Sequence, residues 1–225
     1  MVNVRLRYAV AQANLVSVPV LTYVVLFALL PASAFLAAMV LISRYTAIPI
    51  ADLTRDPASI MGVPFYIGAV SQIGVAIWAM TVAICLFSAA LVSQKSSQAK
   101  VFLLASGAVT GMLLVDDMFL VHEGVARRLF NISDRPVYAA YLIVLLSYLV
   151  LFRQSILRSD FLPLVLSFLF FAASLVVDVK LVKVEEQYLY EDGLKFVGLV
   201  LWAAYFARLA SQLVRQHFTV PGGRE

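Results

Sequence analysis

Acidic side chains and one histidine gather where the third apolar segment of the chain ends. Asp116 and Asp117 follow a run of fifteen largely apolar residues, and His122 and Glu123 come within the next two helical turns. Carboxylate oxygens and imidazole nitrogens are ligands for divalent metal ions, and the same groups can pass protons to one another. The stretch therefore predicts either a metal centre or a path for protons or cations.

More charged side chains lie at the end of one later apolar segment and at the start of the segment that follows it. Asp178 ends one of them, and Glu191, Asp192 and Lys195 open the next. Glu191 precedes Lys195 by four residues, the order that favours an ion pair along a helix, and Asp178 is the alternative partner across a bundle. The candidate catalytic residues are Asp116, Glu123 and Glu191. The candidate metal ligands are Asp116, His122, Glu123, Asp178, Glu191 and Asp192, with Lys195 as an ion-pair partner.

The composition indicates what kind of protein positions these groups. Hydrophobic residues make up 63% of the 225 and charged residues 13%, against about 45–50% and about 25% in soluble domains. With a mean hydropathy of +0.94, the chain is predicted to be an all-α, polytopic transmembrane helix bundle. At about 20 apolar residues per span, the length allows six spans, or seven, in a single transmembrane domain over residues 1–225, with 218–225 as a mobile tail.

Six apolar segments match the predicted spans: residues 16–43, 65–92, 101–121, 137–152, 161–177 and 191–214. Pro19 and Pro31 should distort the first span, because proline removes a backbone donor and crowds the preceding turn. Between the first two spans, Asp56 stands as a helix N-cap before Pro57, which favours a short surface helix. An irregular loop punctuated by prolines is the alternative.

The distribution of charge suggests an orientation. Six spans place both termini on one side, and nine Lys and Arg residues fall there against eight on the other. The positive-inside rule then assigns the termini to the cytoplasm, in a plasma or inner membrane. Eleven of the thirteen acids fall on the opposite side, so the candidate site is expected near the extracytoplasmic end of the bundle.

The acids of the third span lie at a depth where charge is costly. At about 1.5 Å per residue, Asp116 sits roughly 22 Å into a hydrocarbon core about 30 Å thick, and such carboxylates usually face the bundle interior or a water-filled cavity. Helical angles put Asp116 and Glu123 on one face and turn Asp117 and His122 away from it. The four side chains can contribute to one metal or proton site only if the helix unwinds after Phe119.

The cysteine content and the distribution of charge indicate which kinds of partner to expect. The single cysteine, Cys85, cannot build a disulfide framework or a Cys-type metal site. The net charge of +4 is spread over ends and loops, which suits contact with anionic lipid headgroups and not with nucleic acid. Membrane lipid is therefore the expected partner, and the sequence leaves the oligomeric state open.

Residues 191–196, Glu-Asp-Gly-Leu-Lys-Phe, resemble the Glu-Glu-x-x-Lys signature of PrsW-type membrane proteases and, more loosely, the paired-glutamate motif of the related CAAX-type enzymes. The resemblance covers six residues, with Asp192 in place of the second glutamate. Those families place their histidine motifs after the acidic one, whereas His122 precedes it here. The resemblance implies that Glu191 and Asp192 bind a metal ion or activate water.

Three functions are compatible with these features. The first is a metal-dependent membrane hydrolase that acts on lipid or peptide at the extracytoplasmic interface and uses a divalent metal ion of unknown identity. The second is a cation or proton channel or transporter that uses the same acids as a relay. The third is an accessory subunit in which the acids only form structural ion pairs, above all with Lys195.

Overall fold

The computed structural model describes residues 18–92, 97–121, 124, 127, 133–179 and 185–219, and the regular structure in these residues is entirely helical. The prediction of an all-α fold is confirmed. A π-helical turn at Val25–Leu29 separates the first two helices. The helices are α1 (Val18–Val24), α2 (Leu30–Thr46), α3 (Ile50–Thr54), α4 (Pro57–Met61), α5 (Ala69–Leu91), α6 (Ser97–Phe119), α7 (Asp134–Leu151), α8 (Arg153–Leu157), α9 (Leu162–Asp178) and α10 (Gln187–Thr219).

Four helical stretches of the described chain are long and apolar enough to cross a membrane: Val20–Thr46, Ala69–Leu91, Gln98–Phe119 and Gln187–Gln216. Two shorter apolar helices, Pro136–Leu151 and Leu162–Asp178, correspond to the predicted fourth and fifth spans. The expectation of an all-helical chain with several helices long and apolar enough to span a membrane is confirmed. The count of six remains a prediction. The chain divides into two compact units, one up to Ile67 and the other from Gly68 onward.

The first unit shows two local effects of proline. The π-helical turn at Val25–Leu29 lies directly before Leu30 and Pro31, where the proline ring crowds the preceding turn and leaves a carbonyl without its usual donor. Helix α4 begins as predicted, because the Asp56 carboxylate accepts a hydrogen bond from the Ser59 amide at 3.1 Å and Pro57 is the first helical residue. The alternative of an irregular loop is therefore wrong.

The core of the second unit is built around Trp202 of α10, which is fully buried. Aromatic rings from α5, α9 and α10 surround it at centroid distances of 5.2–6.3 Å; they belong to Trp78, Phe168, Phe171 and Phe206. The Trp202 indole donates a hydrogen bond to Thr110 Oγ1 of α6 at 3.1 Å. One side chain thus ties together the helices that carry the candidate site.

Glycine lets these helices approach closely. A Cβ at Gly107 would lie 2.8 Å from Leu86 of α5, and one at Gly198 would lie 2.9 Å from the Phe171 ring of α9 and 3.2 Å from the Ser167 carbonyl oxygen. In lipid, where the hydrophobic driving force between helices is missing, small residues allow the close van der Waals packing that stabilises the contact. They fix α6 against α5, and α10 against α9.

Helix α7 is more lightly packed than its neighbours. Among residues 136–151, Tyr148 has the one buried side chain. Its hydroxyl lies 2.8 Å from Ser106 Oγ of α6, and its ring packs with those of Phe102 and Phe152. The C-terminal half of α7 is therefore anchored on α6, while much of the helix surface is exposed in the isolated chain.

Candidate functional site

An ion pair joins α6 to α10. Lys195 Nζ donates a hydrogen bond to Asp117 Oδ1, and the side chains are 39% and 10% exposed, respectively. The carboxylate is enclosed, whereas the ammonium group retains an open side. Because Asp117 is enclosed, its charge depends on Lys195 for compensation.

A small cleft with a volume of about 30 Å³, partly open to the surface, lies beside this ion pair. Its walls come from the first turns of α5, the end of α6 and the first half of α10. Gly74 contributes to the opening, because a Cβ there would lie 3.9 Å from Asp117 Oδ2 and 3.4 Å from Leu199. The lining residues are Val70, Ser71, Gly74, Asp117, Asp192, Lys195, Phe196 and Leu199.

Two tyrosines of α7 bind the neighbouring acids. The Tyr141 hydroxyl donates to Asp116 Oδ1 at 2.8 Å, and the Tyr138 hydroxyl donates to Asp178 Oδ2 at 2.9 Å. Asp116 is only 9% exposed. Because the tyrosines stand three residues apart on one helical face, α7 connects the end of α6 with the end of α9.

The structure corrects the expected partner of Lys195. Glu191 and Asp178 were the expected partners, but Asp117 forms the pair. The physical reason is the turn of about 100° between successive helical residues, which directs Asp116 to α7 and Asp117 to α10. The Glu191 backbone carbonyl accepts a hydrogen bond from Ser174 Oγ at 2.8 Å, which fixes the start of α10 on α9.

Helix α6 ends where the chain would have to unwind for the four polar groups to meet. Its last residue is Phe119, and Leu120 has a left-handed conformation with φ of 50°, which is costly because its Cβ crowds the backbone. His122 and Glu123, both candidate ligands, lie outside the described residues. Their place in the site therefore remains a prediction.

The remaining acids divide between separate positions. Asp192 lines the cleft with Asp117 and Lys195, whereas Asp178 binds Tyr138. Within the described ranges, no group of three or more His, Cys, Asp or Glu side chains is close enough to hold a metal ion. A metal centre at Asp116, Asp178, Glu191 and Asp192 thus stays a prediction, one that also requires His122 or Glu123.

A second polar contact lies away from this site, where the chain turns from α8 into α9. Asp160 Oδ2 accepts hydrogen bonds from Arg208 Nε at 2.7 Å and from Gln212 at 3.0 Å, and Arg208 Nη2 lies 2.6 Å from the same oxygen. These bonds, from Arg208 first, hold the pKa of the Asp160 carboxyl below its usual range. The contact fastens the turn to α10 and is exposed, which makes Asp160 a useful comparison for the acids of the site.

Tyr138 and Tyr141 are the site residues that the sequence analysis missed. Both lie in the first two turns of the predicted fourth span, at the end of the bundle where the acids were expected. That spacing was visible in the sequence, but tyrosines at the ends of membrane spans commonly serve as interfacial anchors. Only the contacts with Asp116 and Asp178 distinguish the two roles.

The fold and the site define an all-helical protein with helices apolar enough to cross a membrane and with a small cleft, lined in part by charged side chains, near one end of three of its helices. Residues 19–209 match the model of a family described as a domain of unknown function, DUF8692, and the chain belongs to that family. The match begins in the first apolar helix and ends in α10, so it includes every residue of the cleft. No curated protein and no solved structure matches the chain.

Proposed function

We propose that the protein conducts or transports protons or small cations across a membrane, with the Asp117–Lys195 ion pair as its central group. The observation that carries this proposal is the position of the pair, beside a polar cleft in a bundle of apolar helices. Ionisable residues inside membrane spans are expensive and commonly mark ion pathways and proton relays.

The ion pair has the properties of a switchable site. Lys195 neutralises Asp117 in the present arrangement. A proton or a cation that reaches Asp117 through the cleft takes over that neutralising role and releases Lys195. Because one positive charge replaces another beside the carboxylate, the exchange leaves no uncompensated acid in the bundle.

The neighbouring side chains extend the polar region across the bundle. Asp116 precedes Asp117 along α6 and accepts a hydrogen bond from Tyr141, and about one turn earlier in α7 Tyr138 donates to Asp178. Phenol and carboxylate groups at hydrogen-bonding distance can hand on a proton. The proposal takes the three pairs as steps of a relay from α10, through α6 and α7, to α9, with water bridging Asp117 to Asp116 and Tyr141 to Tyr138.

The proposal includes a topology. Six spans, formed by the four long helices together with α7 and α9, place both termini in the cytoplasm and the cleft toward the extracytoplasmic side of a plasma or inner membrane. What supports this arrangement is the gathering of eleven of the thirteen acids on that side when the six spans alternate. Membrane lipid is then the immediate partner of the outer helix faces.

Reconstitution into liposomes tests the transport function. We expect wild-type protein to carry protons, detected by an enclosed pH-sensitive dye, or sodium or potassium, detected by elemental analysis of the vesicles. Asp117→Asn should reduce the flux at least about tenfold, whereas Asp160→Asn, the same change at an exposed acid elsewhere, should leave it intact. Wild-type flux no greater than that of empty vesicles for all three ions would contradict the proposal.

A second candidate function is a metal-dependent hydrolase of the PrsW type. The observation that favours it is that Asp192 and Lys195, the second acid and the lysine of the motif-like sequence, line one cleft with Asp117. A divalent ion held by Asp117 and Asp192, completed by Glu123 or His122, would activate water for attack on a lipid or peptide. Elemental analysis of purified protein is the test: stoichiometric metal that is lost in Asp192→Asn supports the hydrolase, and metal-free wild-type protein removes it.

A further inference from the structure

Helix α7 is the least enclosed of the helices that carry the candidate site. Between Pro136 and Leu151, Tyr148 alone is buried, and three apolar side chains of the middle turns, Leu142, Ile143 and Leu146, are more than half exposed. Helices α5, α6, α9 and α10 instead each bury several side chains, including Trp78, Phe102, Leu164 and Trp202. Moving α7 therefore breaks fewer contacts than moving any of these neighbours.

Two groups of polar and aromatic contacts hold the two ends of α7 in the described part of the chain. Toward the C-terminus, Tyr148 meets Ser106 and the ring of Phe102. Toward the N-terminus, the hydroxyls of Tyr138 and Tyr141 donate to Asp178 and Asp116. The first group is buried and largely apolar, whereas the second includes two hydrogen bonds to carboxylates that can be given up and remade.

We propose that α7 is a gate over Asp116, with a pivot at Tyr148 and a clamp formed by Tyr138 and Tyr141. With the clamp closed, the Tyr141 hydroxyl occupies Asp116 Oδ1 and the carboxylate is only 9% exposed. With the clamp open, the N-terminal half of α7 moves away and Asp116 becomes accessible to water or a cation. The passage of a transported ion to Asp116 rests on the proposed transport function, whereas the movement of α7 itself does not.

The two tyrosines hold α7 against two helices at once. Tyr138 holds an acid at the end of α9, and Tyr141 holds one at the end of α6, so a closed gate fixes α7 against both helices. A single hydrogen bond between membrane helices contributes little, on average about 0.6 kcal/mol. Two such bonds on one helical face hold the helix while leaving it releasable.

Hydrogen–deuterium exchange of the full-length protein in lipid nanodiscs tests the gate without any transport measurement. Tyr138→Phe and Tyr141→Phe keep the rings and remove the hydroxyls, and each should raise the exchange rate of the amides of residues 138–144 roughly threefold. Tyr148→Phe, which removes a hydroxyl at the pivot, is the matched control. It should raise exchange in the last turns of α7 and leave residues 138–144 unchanged.

The outcomes distinguish an α7 that opens at its N-terminal half from one that loosens along its whole length or not at all. Faster exchange confined to the N-terminal half of α7 in the two clamp variants supports the gate. Unchanged exchange there in both variants overturns it, and so does an equal increase along the whole of α7 in all three. If one clamp variant does not fold, the other decides. If the exchange result holds while no ion is transported, the gate stands and the proposed function fails.

Discussion

Asp116 and Asp117 are neighbours in the sequence but hold different helices. The carboxylate of Asp116 accepts a hydrogen bond from Tyr141 of α7, whereas that of Asp117 pairs with Lys195 of α10. This division makes α6 the common support of the candidate site. The two carboxylates also differ in accessibility, because Asp117 lines the cleft and Asp116 is covered by α7.

Replacing Lys195 should destabilise the protein. In Lys195→Met, Asp117 remains enclosed without its counter-charge, and we expect the free energy of unfolding to fall by about 1–3 kcal/mol, less than for a fully buried pair because Lys195 is partly exposed. Adding Asp117→Asn should restore most of the loss. Thermal unfolding in detergent measures both effects. Arg208→Met, which breaks the exposed pair with Asp160, is the control and should cost less stability than Lys195→Met.

Two glycines of α10 should respond oppositely to alanine. A Cβ at Gly198 would approach the Phe171 ring to 2.9 Å and the Ser167 carbonyl oxygen to 3.2 Å, so Gly198→Ala should cost about 1–3 kcal/mol through separation of α9 and α10. A Cβ at Gly193 meets nothing within 4 Å, and Gly193→Ala should be neutral or stabilising by up to about 1 kcal/mol. Equal melting temperatures for the two variants would contradict the close contact between α9 and α10.

The hydroxyl of Thr110 should matter more than that of Thr81, although both side chains are fully buried. Thr110 accepts the indole hydrogen bond of Trp202, whereas the Thr81 hydroxyl donates only to the Ile77 carbonyl of its own helix. Thr110→Val leaves a buried donor unpaired and should cost about 1–3 kcal/mol. Thr81→Val should be nearly neutral. Denaturant titration of the two variants measures the difference.

Asp160 should contribute stability that is lost in acid. The hydrogen bonds from Arg208 and Gln212 lower the pKa of its carboxyl below the ordinary value of 3.8, so the folded state releases this proton more readily than the unfolded state. The contribution is present above that pH and disappears as the pH falls through the folded pKa. Melting temperatures measured from neutral pH to below 3.8 should therefore fall less steeply for Asp160→Asn than for wild type. Parallel curves would show that the contact adds nothing.

The sequence predicted the helices well and the pairing of side chains less well. Long apolar runs and the cap at Asp56 located the elements, because both depend on residues close together in the chain. The partner of Lys195 depends on how α6 and α10 face each other across the bundle. Helical angles separated Asp117 from Asp116 but did not indicate which neighbour each would meet. For the same reason the roles of Tyr138 and Tyr141 emerged only with the structure.

Ion flux through the Asp117→Asn, Lys195→Met double variant tests the central claim most directly. The double variant removes both charges together, so we expect it to unfold at nearly the wild-type temperature, which separates function from stability. If the pair is the transport group, the folded double variant in liposomes should carry protons and cations no faster than empty vesicles, while the wild type carries one of them. Flux equal to that of wild type would show that the ion pair only holds α6 and α10 together, and would contradict the proposal.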